Sequence, residues 1–241
     1  VSLPRVRLES SIQESESAWI LDPGEGHHLI SVRRCRDGDL FEGLLPGRKI
    51  LMRLDLSSEG ARGVVVSESP EGSGNEIWLL AGLLKGDHFD RLVAQSVETG
   101  VSVLVPLLCI RSVVNIPPGK IRSRMERWRR IAMEATKQCG RADPPEILDP
   151  IPVSSIPSLE LPSCRFVAVT GPAPTILTSR PRFGAAVAVG PEGDWTGEEL
   201  DELEREGFSR VSLGPRVMRS HTAGVVAVGV LTMMLDGDVN V

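Results

Sequence analysis

The spacing of apolar and polar residues changes character near residue 70. Before that point the apolar stretches are short: Trp19-Ile20-Leu21, Leu40-Phe41, Ile50 to Leu54 and Gly63 to Val66, separated by Gly38, Gly43, Gly47 and Gly60. Short apolar runs between turn residues predict the strands of a small barrel or sandwich. His27 to Val32 reads as the start of a short helix. Ser67 to Asn75, rich in Ser, Pro, Gly and acid, reads as a linker. From Glu76 onward, strand-like and helix-like segments alternate. Ile77 to Leu84 is a continuous apolar run of the kind a buried parallel strand requires. In Asp87 to Thr99, Phe89, Leu92, Val93 and Val97 share one helical face, with Gly100 as the stop. Val101 to Leu108 is the next strand, and Lys120 to Cys139 a helix with Ile121, Met125, Trp128, Ala132 and Ala135 on its apolar stripe. Arg165 to Val169 and Ala185 to Val189 are further strands. Thr196 with Glu199 fits a capping box, and Gly207 ends that helix. The last helix, Thr222 to Leu235, is apolar almost all round and predicts burial, with a subunit contact as one place for it. Such alternation indicates an α/β domain on a parallel sheet, residues 76–241, after a first domain over residues 1–70.

With 241 residues and 41% hydrophobic content, the chain has room for two ordinary domains with buried cores. Cys35, Cys109, Cys139 and Cys164 are widely spaced, which argues against a disulfide framework or zinc site and for a reducing, cytoplasmic setting. No His/Cys/Asp/Glu cluster has metal-ligand spacing, so no metal is expected. The longest apolar run, Ala223 to Leu235, is short of the roughly 20 residues of a membrane span, so no membrane partner is expected. The formal net charge is −5, but it is unevenly spread: residues 111–141 carry nine Lys/Arg against Glu126 and Glu134. A basic segment on an acidic body can bind RNA locally; an arginine-rich solvated helix face is the plainer reading, and composition leaves both open.

Two glycine-bearing loops carry the most chemistry. Gly190-Pro191-Glu192-Gly193-Asp194-Trp195-Thr196 and Leu213-Gly214-Pro215-Arg216-Val217-Met218-Arg219-Ser220-His221-Thr222 each follow a short apolar run and lead into a helical stretch. Loops of this kind at adjacent strand ends make a crevice at the carboxyl edge of a sheet. The chain has neither G-x-G-x-x-G nor G-x-x-x-x-G-K-[ST], so phosphate cradling is a poor reading.

These loops resemble the cofactor-binding segments of the RsmE family, knotted (SPOUT-class) methyltransferases acting on uridine N3 of small-subunit ribosomal RNA. The family pattern G-P-E-G-G-[FLW]-[ST], then L-G-x-R-[IV]-L-R-x-E-T-A, is matched with Asp194 for the second glycine and His221 for the glutamate. Lys85-Gly86-Asp87, then Glu98, Gly100 and Val101, and the block Glu126-Arg127-Trp128 through Glu134, Gln138 to Arg141 and Pro145 match further family segments in order.

The resemblance implies a C-terminal α/β-knot domain after an N-terminal PUA-like β-barrel, and S-adenosyl-L-methionine (SAM) as cofactor. It implies that Gly190, Pro191, Gly193, Leu213, Gly214, Val217 and Met218 hold the cofactor. Chemistry at uridine N3 requires a proton to leave while negative charge spreads onto the flanking carbonyl oxygens. Arg219 is the expected donor to those oxygens and His221 a candidate proton acceptor. Arg127, Arg130, Arg141 and Arg216 are candidate RNA contacts. The implied partners are ribosomal RNA or the small subunit and a second copy of the chain. The changes at 194 and 221 keep two alternatives open: an RNA-binding or ribosome-assembly factor that has lost activity, and a methyltransferase of the same fold with another RNA target.

Overall fold

Two sheets organise the chain, one in each of two units. The computed structural model describes residues 3–45, 47–57, 60–70, 76–114 and 116–237. One unit comprises Val1–Ser73 with Thr136–Pro144, the other Gly74–Ala135 with Pro145–Val241.

The first unit contains β1 (Arg5–Arg7), β2 (Ile12–Ser15), β3 (Ala18–Ile20), helix α1 (Pro23–His27), a π-helical turn at His28–Val32, β4 (Leu40–Leu45), β5 (Arg48–Ser57) and β6 (Gly60–Pro70). The strands form one six-stranded sheet in the order β1-β4-β5-β6-β3-β2, antiparallel except for β1 with β4. Period-two alternation puts Ile50, Met52 and Leu54 of β5 into a core with Val6, Leu8, Trp19, Leu29 and Phe41. The helix begins earlier than expected because Asp22 accepts a hydrogen bond from Gly24 N (2.9 Å) and Pro23 fits a first-turn position. Ser67 to Pro70, read as linker, instead extends β6, since the hairpin ladder runs on to Arg48 opposite Pro70. The rest of that linker, residues 71–75, lies outside the described residues.

Residues 136–144, which the sequence places in the C-terminal domain, pack in the first unit. Lys137 Nζ lies 2.7 and 2.6 Å from the Glu25 carboxylate oxygens, Arg5 donates to the Gln138 carbonyl (2.7 Å), and Gly47 N donates to Asp143 (2.9 Å). Polarity rather than apolar periodicity fixes this segment, so the helix pattern did not reveal it.

The second unit contains β7 (Glu76–Gly82), α2 (His88–Thr99), β8 (Val103–Leu108), α3 (Pro118–Cys139, whose last residues belong to the first unit), β9 (Glu146–Ile147), β10 (Ile151–Pro152), β11 (Arg165–Ala168), β12 (Gly184–Val189), α4 (Gly197–Arg205), β13 (Ser209–Val211) and α5 (Ser220–Gly237). Every ladder is parallel, in the order β10-β8-β7-β12-β11-β13, with β9 on β8. The central strands β7 and β12 are buried along almost their whole length, which is why their sequences are continuous apolar runs.

Beyond β13 the chain stays in the sheet direction. Ser212 N donates to Pro174 O (2.8 Å) and Ile176 N donates to Ser212 O (3.0 Å), so the β11–β12 connection runs beside the segment after β13. Helix α5 then packs on α2, β7 and β12. Thr232 Oγ1 donates to the Thr99 carbonyl at the end of α2 (2.7 Å). The all-round burial expected of α5 is not what the chain shows: Gly224, Ala227, Val228, Leu231 and Leu235 are buried, whereas Met233 is 70% exposed and Val225, Val226 and Val230 are half-buried. A helix on one side of a sheet buries one stripe, and here the opposite stripe is apolar too. Among the described residues no helix is long and apolar enough to cross a membrane.

Candidate active site

The carboxyl ends of β11, β12 and β13 open onto a cleft of about 300 Å³, the position where open parallel sheets bind ligands. Gly190, Pro191, Leu213, Gly214, Val217 and Met218 line it, so six of the seven residues expected to hold a cofactor meet in one place. Arg216, expected at RNA, lines the same cleft. Thr170, Glu192 and Ser212, which the motif reading did not single out, add polar groups, as does Asp194.

Gly193 is the exception. It is not among the cleft residues, and a Cβ there would come within 2.7 Å of the Arg111 carbonyl oxygen and 2.8 Å of the Arg111 Cβ. The glycine therefore serves close backbone packing behind the loop. Arg111 completes that packing, its Nη1 donating to the Trp195 carbonyl (3.0 Å).

Three further contacts set the shape of the loop after β12. Trp195 Nε1 donates to the Ala168 carbonyl at the end of β11 (3.1 Å), and its indole lies 3.2 Å from where a Gly190 Cβ would sit. Asp194 accepts from Thr170 Oγ1 (2.8 Å) and from Trp195 N (2.8 Å). The expected capping box of α4 is present: Glu199 N donates to Thr196 Oγ1 (3.1 Å) and Thr196 N to Glu199 Oε2 (2.9 Å). The buried Glu199 also accepts from Ile110 N (2.8 Å). Beside it, burial first and the Glu199 charge second push the Cys109 thiol up to about 12, which makes it inert near neutral pH.

A second, more polar pocket of about 420 Å³ adjoins the cleft and shares Glu192, Met218 and Ser220 with it. Its other walls are Leu84, Lys85, His88, Arg219 and His221, so both residues expected to act on the substrate lie here. Lys85 N donates to Glu192 Oε1 (3.1 Å), which holds that carboxylate at the junction. The rings of His88 and His221 are 5.1 Å apart and tilted by 51°. His88 Nδ1 is 3.9 Å from Glu192 Oε1. Burial first, then the neighbouring His88, Arg219 and Arg91, hold the His221 imidazole below its ordinary value, against a smaller opposing effect of Asp87. It is therefore uncharged near neutral pH and carries a lone pair. An exposed guanidinium and a neutral imidazole facing one pocket provide a hydrogen-bond donor and a proton acceptor for the same bound group.

The expected RNA contacts are not brought together. Arg127 is engaged by Asp90 at 2.9 and 2.6 Å, and the same carboxylate accepts from Trp128 Nε1 (3.2 Å). Arg130 is exposed on α3, and Arg141 is a half-buried, partnered residue of the first unit. Three of the nine cations in 111–141 are in ion pairs, Arg122 with Glu126, Arg127 with Asp90 and Lys137 with Glu25.

A family model described as an RNA methyltransferase domain matches residues 71–232. Ribosomal RNA small subunit methyltransferase E of Bacillus subtilis is 27% identical over 98% of this chain and 100% of its own length. The Synechocystis protein of the same name is 29% identical over 92% of this chain and 75% of its own. Among solved structures, a Legionella pneumophila protein in complex with the bound cofactor SAM superposes with a TM-score of 0.79, at 25% identity over 96% of this chain and 97% of that one. Ribosomal RNA small subunit methyltransferase E of Neisseria gonorrhoeae, bound to S-adenosyl methionine, superposes with a TM-score of 0.81 at 24% identity, covering 97% of this chain and 98% of that one.

Proposed function

The chain belongs to the RNA methyltransferase domain family, and from that premise we infer that it is a SAM-dependent methyltransferase of small-subunit (16S) ribosomal RNA, with uridine N3 as the acceptor atom. The observation that carries this reading is the junction of the two pockets. A cleft shaped by three strand-end loops opens at Glu192, Met218 and Ser220 into a pocket holding Arg219 and a neutral His221.

The residues present fit SAM. Backbone of Gly190, Leu213 and Gly214 with the apolar Val217 and Met218 suits an adenosyl group, and the carboxylates of Glu192 and Asp194 suit a ligand bearing positive charge. When bound, SAM supplies an electrophilic methyl group. The protein's part is positional and electrostatic. The second pocket holds the uracil ring, Arg219 donates to a carbonyl oxygen flanking N3, and His221 accepts the N3 proton. With charge on that oxygen stabilised, N3 becomes the nucleophile.

Three features of the assembly belong to the same proposal. Pairing of the β11–β12 connection with Ser212 supports reading the last strands and α5 as a knotted arrangement. The sheet of the first unit supports a PUA-like domain that grips RNA, with Arg130, Arg141 and Arg216 as further contacts. The apolar outer stripe of α5 supports a homodimer. A ribosomal RNA substrate sets its work in the cytoplasm.

Incubation of the purified protein with SAM and small subunits from cells lacking this modification should yield N3-methyluridine, detected by mass spectrometry of RNA nucleosides. A different methylated nucleoside would reassign the acceptor. No methylation, with retained RNA binding, would favour an assembly factor.

A further inference from the structure

The second pocket contains a histidine that the reading above does not use. His88, at the start of α2, faces His221 across 5.1 Å on one side, and on the other its Nδ1 lies 3.9 Å from the Glu192 carboxylate. All three line the same cavity. Glu192 is itself held by the Lys85 amide (3.1 Å), so the carboxylate is fixed and not a free rotor.

We propose that His88 is a positioning residue for methyl transfer: lying between Glu192 and His221, it disfavours a second proton on the paired rings and so helps keep His221 in the uncharged form that accepts the uracil proton. This rests on His221 being the proton acceptor. The N3–H bond breaks with its electron pair left on N3, and the proton bonds to a ring nitrogen of His221. The proton then leaves His221 to water, and His221 returns to its neutral state.

The charged groups around His221 come from three segments. On α2 and the turn before it stand Lys85, Asp87, His88 and Arg91, after β12 stands Glu192, and on its own segment stands Arg219. Arg91 is tied to Asp87 (Nε to Oδ2, 3.0 Å), so those two largely offset each other. His88 is the titratable ring in direct contact with His221, and the Glu192 carboxylate lies 3.9 Å from its Nδ1. At 5 Å two cations repel appreciably even in a water-like medium, so the pair carries one proton more readily than two. A second proton on the pair is thereby disfavoured.

The test uses the full-length protein and two substitutions of opposite sign, His88→Gln and His88→Lys, with His221 titrated by NMR in SAM-free protein and kcat followed against pH. His88→Gln removes the ring that competes with His221 for a proton, so the His221 titration and the acid limb of kcat should both move to higher pH. His88→Lys introduces a cation and should move both back to the parent position or below it. KM for SAM should change little in either. Unmoved His221 titration and acid limb in both variants, with normal folding by circular dichroism, would overturn the proposal. Failure of the underlying reading looks different: His221→Gln would keep parental turnover and its acid limb, whatever the His88 variants do to the NMR titration.

Discussion

Thr170 Oγ1 donates a 2.8 Å hydrogen bond to Asp194 Oδ2, joining the loop after β11 to the loop after β12 at the edge of the cleft. Asp194 holds φ +59°, a left-handed conformation that aspartate tolerates better than most residues because its short carboxylate can bond locally. Here it does so twice, to Thr170 Oγ1 and to Trp195 N. The resembled family pattern has glycine at this position, and those two bonds offset what a side chain costs there.

Asp194→Ala keeps the unfavourable backbone and loses both bonds, so it should destabilise the protein by about 1–3 kcal/mol and weaken SAM binding. Asp194→Gly should cost less, because glycine removes the backbone strain. Thermal denaturation and calorimetric titration with SAM measure both; equal losses in the two variants would contradict this account.

Gly82 closes against the other side of the same loop. A Cβ there would lie 2.6 Å from Pro191 N, a clash with backbone that cannot swing away. Gly82→Ala should cost about 1–3 kcal/mol and displace Pro191, a cleft residue. Gly190→Ala meets the Trp195 ring at 3.2 Å and should be milder. Calorimetric SAM affinities should fall in that order, Gly82→Ala lowest.

Arg219→Ala should leave SAM affinity near the parent value and lower kcat roughly 10²- to 10³-fold, since its main partner is charge that grows in the transition state. Single-turnover methylation on small subunits separates this from a binding defect. Turnover at the parent rate would remove Arg219 from the chemistry.

The depressed titration of His221 fixes the sign of one pH effect. The unfolded chain protonates this residue near its ordinary value of 6.5 and the folded chain only at lower pH. Stability present above 6.5 is therefore lost as pH falls through that value toward the folded one. Comparing His221→Gln with the parent, the difference in Tm should be constant above pH 7 and shift in favour of the variant below pH 6. A difference independent of pH would mean that His221 is not held neutral by the fold.

Met233 is 70% exposed on the outer stripe of α5, the face assigned to a second copy in the proposed homodimer. Light scattering at micromolar concentration should give a dimer mass for the parent and a monomer mass for Met233→Lys with unchanged circular dichroism. A monomeric parent would remove the homodimer from the proposal.

How much of this was legible in the sequence depended on whether a residue's role followed from spacing. The buried runs of β7 and β12, the face of α2 and the Thr196–Glu199 cap all follow from periodicity or a fixed offset. Six cleft residues followed from two loop motifs. Gly193 has a packing role that the motif could not show, because a glycine required for close packing and one required for ligand approach look alike until the neighbour, Arg111, is seen. The pairing of Arg127, a candidate RNA contact, with Asp90 was not legible, because the two are 37 residues apart. Glu192 sat inside a quoted motif and His88 just after one, but only the fold brings them to His221.

The cleft also bears on how the protein is made. Every segment that lines it, from Ala168 to Ala223, comes from the last third of the chain, and the final helix supplies one wall. A nascent chain that has already completed the first sheet still has nothing with which to capture its methyl donor. The cleft is therefore an all-or-none property of residues 168–223: a variant in which any one of its loops cannot form is expected to lose ligand binding outright and not in part.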